Sequence, residues 1–213
     1  MQAPRNEKQA RTQTATQTRP HERIEGQPQF QQRSYEIQAY GQQHFVPLGL
    51  PAETVQRNVA LLNQLLADSI TLYNLYKKHH WQVAGPTFYQ LHLLLDKHAE
   101  EIEKTIDLLA ERIQMLGGVS ISMPFDVVEM TRIERPPKGE EDIPAMLART
   151  ANAHATLISE IREAIEVTNQ NKDYGTNDML MSDILRTHEM HLWFISQHLV
   201  DTPLVLGDGQ SKP

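Results

Sequence analysis

Four long stretches of this chain repeat apolar residues at three- and four-residue steps, and glycine and proline separate them. That periodicity constrains the fold more than any other feature. The first predicted helix runs from Pro51 to about Val83, with proline in its first turn, and Gly85-Pro86 ends it. The second covers about Thr87 to Leu116 and stops at Gly117-Gly118. A long connection from Val119 to Asp142 carries Pro124, Pro136 and Pro137, with room for a short helix at Phe125 to Thr131. The third helix spans about Ile143 to Asn169. Tyr174-Gly175-Thr176 reads as a turn, with Thr176 or Asn177 capping a fourth helix from Asp178 to Val200. No useful β-alternation and no internal repeat is present. Two short connections flanking a long one predict an all-α four-helix bundle with one long crossover.

The 213 residues suffice to bury a core without staples. The absence of cysteine excludes disulfide frameworks, cysteine-bound zinc, iron–sulfur clusters and thiol nucleophiles. No apolar run is long enough to span a membrane, and Met1 to Gln32 lacks the apolar segment of a secretory signal, so a cytoplasmic protein is expected. Residues 1–44 are rich in glutamine and poor in large aliphatics, the composition of a flexible tail with little to bury; 201–213 form a second polar tail. The bundle is expected over 45–200. The net charge of −7 argues against nucleic-acid binding by the bundle. Arg5, Lys8, Arg11, Arg19, Arg23 and Arg33 outnumber the acids of the first 34 residues. This mildly basic arm is read first as solubilising, with DNA contact as the alternative.

On a wheel of the second helix, Leu91, Leu95, Ile102, Leu109, Ile113 and Leu116 form a buried seam. His92, Asp96, Glu100, Glu103, Asp107 and Glu111 form a separate stripe, and only Lys104 lies near enough to answer the carboxylates. Such a stripe is ordinarily a solvated face, yet uncompensated acid costs stability unless a cation or a partner covers it. His80 continues an inward seam through Leu62, Leu66, Tyr73 and Tyr76, and the turn at Gly85-Pro86 brings it toward His92. Two histidines beside Asp96 favour a metal site. Asp107 and Glu111 form a second pair at i, i+4. Fifteen positions separate His92 from Asp107, about 22 Å along a straight helix, so no single ion joins them within one chain. Either the sites are unrelated, or the carboxylates meet the histidines of another copy across a two-fold axis. Glutamate followed three residues later by histidine occurs nowhere, which argues against a di-iron site in the bundle centre.

The stretch Tyr76 to Gly118 resembles the Dps family, the ferritin-like mini-ferritins of bacteria. The resemblance rests on His80, Trp81, Gly85-Pro86, His92, Asp96, Asp107, Glu111-Arg112 and Gly117-Gly118, in matching order and spacing, and is compatible with a cyanobacterial-type member. It implies a ferritin-like bundle assembled as a hollow homo-oligomeric dodecamer. It implies ferroxidase centres between subunits, with His80 and His92 from one chain and Asp107 and Glu111 from its partner. Asp96 would be a ligand or supporting carboxylate, and Trp81 would lie close by. Two irons per centre would be oxidised from Fe(II) by hydrogen peroxide or oxygen and stored as ferric mineral, protecting against oxidative stress. Zinc or other divalent metals could occupy the same ligands. A DNA-compacting structural protein associated with the nucleoid, and a bundle holding zinc without ferroxidase activity, are the alternatives.

The remaining histidines lie outside the pattern. His154 and His188 fall on inward positions and are read as packing residues. His191 and His198 are expected to face solvent or a symmetry mate, with a second metal site there as the lesser reading. His21 with Glu22, and His44, could hold zinc on the arm. Asp178, Asp183 and Glu189 could line an acidic channel where three chains meet, or simply favour a helix dipole. Met179, Met181 and Met190 are expected to pack. His79 and His98 have no assigned role.

Overall fold

The computed structural model describes Phe30 and residues 35–201. The expectations for the basic arm, for His21 with Glu22 and for the tail beyond Asp201 fall outside those residues. The chain divides into two units, Met1–Ala39 and Tyr40–Pro213. In the first, Phe30, Tyr35 and Ile37 are exposed. The described residues of the second are helical apart from their loops: α1 (Ala52–Gln82), α2 (Phe88–Met115), the short α3 (Pro124–Met130), α4 (Ile143–Gln170), α5 (Tyr174–Met179) and α6 (Arg186–Gln197). A π-helical turn, Leu180–Leu185, joins α5 to α6 without a break, so the last three segments act as one long helix. The result is a ferritin-like four-helix bundle in which α3 rides on the crossover.

The predicted apolar seam of α2 is the observed one: Leu91, Leu95, Ile102, Leu109, Ile113 and Leu116 are all buried. On α1 the seam runs Leu62, Leu66, Ser69, Leu72, Tyr76, His79 and Val83, so His79 rather than His80 sits in the core. His80 lies one residue on, rotated toward α2. The fourth helix starts earlier than its sequence suggests. Asp173 caps it, accepting hydrogen bonds from the Thr176 amide at 3.2 Å and the Thr176 hydroxyl at 2.6 Å, which draws Tyr174-Gly175-Thr176 into the helix. Gly175 admits the Arg112 guanidinium, whose Nη2 would stand 3.1 Å from any Cβ there.

Within that helix, Thr176, Leu180, Ile184 and His188 are buried at four-residue steps. An α-helix drifts about 40° over each such step, and the wider π turn absorbs the drift. Beyond it the steps return to three and four, burying His191 and Ile195. His191 therefore does not face solvent as its sequence position suggested. Met181 and Met190 turn outward instead of packing.

Polar side chains on α1 hold the loops. Asn63 donates to the Val119 carbonyl and accepts the Ile121 amide at 3.0 Å, fixing the start of the crossover. The buried Asp68 accepts from the Thr131 hydroxyl at 2.8 Å and the Arg132 amide at 2.6 Å, fixing the chain just after α3. Asn58 donates to Asp173 at 2.8 Å, and Arg112 of α2 pairs with the same carboxylate at 2.7 Å. The segment ahead of α1 is held too: the His44 amide donates to the Gly117 carbonyl at 2.8 Å. Gly117 has φ +81°, and a Cβ there would stand 2.2 Å from the His44 carbonyl oxygen.

The core also holds five histidines. His79, His98, His154, His188 and His191 are buried, around Tyr76 and Thr150. Desolvation holds all five imidazoles below their ordinary value, to about 4 for His79 and about 3 for His98 and His188.

Two predictions concern stability. Asp173→Ala removes the cap and leaves Arg112 and Asn58 without their shared acceptor, so it should cost about 3 kcal/mol or more in denaturant unfolding. The histidines impose a pH dependence. The unfolded chain takes up protons near pH 6.5, whereas the folded core resists them to about 3 to 4. Stability should be full above about pH 6.5 and fall as the pH drops below it, by roughly 1.4 kcal/mol per pH unit for each uncompensated proton. Melts between pH 7 and 5 should show falling Tm; a flat Tm would mean that the folded core takes up protons just as the unfolded chain does.

Candidate metal centre

The α1–α2 turn creates the first candidate site. Gly85 takes φ +110°, a conformation open to glycine, and the chain reverses within the few residues between α1 and α2. His80 and His92 then stack with ring centroids 3.8 Å apart and planes 20° apart. Each imidazole bonds the other residue's backbone: His80 Nδ1 to the His92 carbonyl at 2.8 Å, and His92 Nδ1 to the His80 carbonyl at 2.9 Å. A carbonyl only accepts, so both Nδ1 atoms carry hydrogen, which leaves Nε2 as the atom of each ring able to take a metal. This is the tautomer a metal requires, held by the backbone before any ion arrives. Phe88 stacks on His92 at 5.0 Å.

Asp96 lies one turn along α2, its Oδ1 3.8 Å from His80 Nε2. Lys77 Nζ occupies the same oxygen at 2.5 Å, and this bond holds the Asp96 carboxyl below its usual range. An arriving cation would meet two bare nitrogens and a carboxylate whose present counter-ion is a displaceable ammonium. The sequence reading missed Lys77, although its place three residues before His80 puts it on the same helix face.

Asp107 and Glu111 are not part of this group. Both are exposed on the unbroken α2, and Asp107 lines an open groove with Glu100, Glu103, Lys104 and Ser122. Helix geometry keeps Asp107 about 22 Å and Glu111 about 28 Å from His92. Trp81 is 72% exposed and lines a separate groove with Arg135 and Pro136. Of the proposed channel acids, Glu189 pairs with Arg162, and Asp178 accepts from Ser182.

A second group lies inside the bundle. His98 and Glu101 of α2 and His191 of α6 offer one ligand atom each, all within 4.8 Å of one another. His191 Nε2 is 2.6 Å from Glu101 Oε2, and the His98 and His191 rings stack at 3.9 Å. The signal was present in the sequence as a histidine followed three residues later by a glutamate. Bundle di-iron sites use the opposite order, and the third member comes from a helix that only packing brings near.

A ferritin-like domain family matches residues 59–205. The chain is 33% identical to a DNA protection during starvation protein of Halobacterium salinarum over 158 residues, 74% of this chain and 86% of that one. Among solved structures it superposes on DpsC from Streptomyces coelicolor with a TM-score of 0.79 and 48% identity, covering 80% of this chain and 99% of that one. The archaeal Dps homologue of Halobacterium salinarum gives 0.77 at 32% identity, over 80% and 95% of the two chains. The Dps protein of Vibrio cholerae, described as one of the ferritin-like diiron-carboxylate proteins, gives 0.69 at 25% identity, over 73% and 96%. With its crossover bundle, its paired hairpin histidines and these relatives, the chain belongs to the Dps family of ferritin-like proteins.

Proposed function

We propose that this protein is a ferroxidase and iron store. It oxidises Fe(II) at centres shared between two copies of the chain and deposits the ferric product in a hollow dodecamer. The reciprocal bonding of His80 and His92 is the observation that carries this reading. It prepares two nitrogen ligands beside Asp96 at an accessible edge, where nitrogen and carboxylate donors suit Fe(II).

A centre completed within one chain has the Asp96 carboxylate, already paired with Lys77, and gains from further carboxylates to stabilise the ferric product. Asp107 and Glu111 are exposed and share α2 with His92, so a two-fold related copy running antiparallel would bring its pair to these histidines. Two irons held together each give one electron to hydrogen peroxide, which with two protons becomes two waters, so no hydroxyl radical need be released. Oxygen is the alternative acceptor. The absence of cysteine removes one class of oxidisable side chain from the particle.

Two experiments test this. Asp107→Asn removes charge and little volume; it and His80→Ala should each abolish the fast phase of peroxide-driven Fe(II) oxidation in stopped flow, while Glu140→Gln in the crossover should not. Parent-like rates for Asp107→Asn at saturating Fe(II) would reduce the acidic stripe to a solvated face. A chain with both histidines replaced, co-assembled with one lacking both carboxylates, should regain part of the fast phase. Verified mixed particles without that recovery would argue against a shared centre.

A further inference from the structure

We propose that His98, Glu101 and His191 form a second, mononuclear site for a divalent transition-metal ion inside the bundle, independent of the hairpin histidines. Two imidazoles and one carboxylate are a donor set suited to Zn2+ and to Fe2+. Such ions bind imidazole nitrogen at about 2.0–2.1 Å and carboxylate oxygen at about 2.0–2.2 Å. Opposed ligands are then about 4.2 Å apart at most, so atoms now within 4.8 Å close on an ion by side-chain adjustment. His98 and Glu101 share a face of α2 at i, i+3. His191 arrives from the helix whose π turn rephases it into the core.

The surroundings prepare this site as well. Tyr76 Oη lies 3.2 Å from His98 Nδ1 and 2.7 Å from His154 Nε2, and His154 Nδ1 lies 3.1 Å from His188 Nδ1. This chain of hydrogen bonds can run in two directions. In one, His98 Nδ1–H donates to Tyr76, the Tyr76 hydroxyl donates to His154, and His154 donates to His188. His98 Nε2 then keeps a free lone pair for the ion. An ion bound there selects that direction. At His191 the ion replaces the hydrogen between Nε2 and Glu101, and the neutral imidazole carries its proton on Nδ1, which is buried and has no partner now.

Entry is by way of Glu101, whose side chain is 26% exposed. Lys97 stands 3.7 Å from its other oxygen but is 63% exposed and free to swing out. His198, exposed and two turns beyond His191, is near enough for its charge to act on His98. Phe194 walls the other side, edge-on to His98 at 5.9 Å.

The test uses the assembled full-length protein carrying His80→Ala and Asp107→Asn, which removes donors of the hairpin centre and its proposed partner pair. Equilibrium dialysis against Zn2+, and separately against Fe2+ under anaerobic conditions, should find one tight ion per chain, and the tighter of the two identifies the occupant. Adding Glu101→Gln, a near-isosteric change at the edge of the site, should weaken binding at least tenfold while leaving particle size unchanged. In crystals soaked with Zn2+, anomalous scattering should peak between His98, Glu101 and His191. Binding that is absent for both ions, or unmoved by Glu101→Gln, would overturn the proposal, as would an anomalous peak confined to other positions. None of these readouts depends on iron oxidation, so they succeed or fail apart from the ferroxidase reading.

Discussion

Burial of polar groups on α1 is the constraint on which the rest of this bundle depends. Asn58, Asn63, Asp68 and His79 are all removed from solvent, and each would be costly without a partner. Their partners are the parts of the chain that periodicity alone leaves undetermined: the α4–α5 loop, the start of the crossover, the segment after α3, and Thr150 of α4. An apolar seam says which face is inward but tolerates sliding. Hydrogen bonds at fixed heights along α1 set the register of everything packed on it.

The same register creates both candidate sites. His80 and His92 exchange bonds with each other's backbone only because α1 and α2 are held at one offset by the tight turn at Gly85. A slip of one residue would rotate each imidazole by about 100° and separate them. In the interior, the π turn plays the comparable part. It sacrifices regular helix geometry to place His188 and His191 against His154 and His98. Irregular backbone of this kind is frequent where side chains have a chemical task.

The two sites differ in what surrounds them. The hairpin histidines sit at an edge, beside an aspartate whose present counter-ion is a lysine, with further acidic residues along α2. The interior histidines sit in an environment that opposes positive charge on imidazole, holding them neutral well below their ordinary range. Neutral imidazole is the metal-binding form, so burial that costs the fold stability in acid also keeps these donors ready at neutral pH.

Much of this was legible in the residues. Strong periodicity located α1, α2 and α4 to within a few residues, because a long amphipathic helix has one way to bury its stripe. The pairing of His80 with His92 followed from helix rise and a glycine–proline turn, and the separation of Asp107 from them followed from the same arithmetic. Other features were decided only in three dimensions. Capping by Asp173 was hidden because its partners, Asn58 and Arg112, lie far away in sequence. The burial of His191 depended on a π turn that no local pattern announces, since its four-residue spacing pays off only against the neighbouring helices. The grouping of His98, Glu101 and His191 joins two helices some ninety residues apart in sequence. Local periodicity specifies which face of a helix turns inward; which residues meet there is set by the packing of one helix on another.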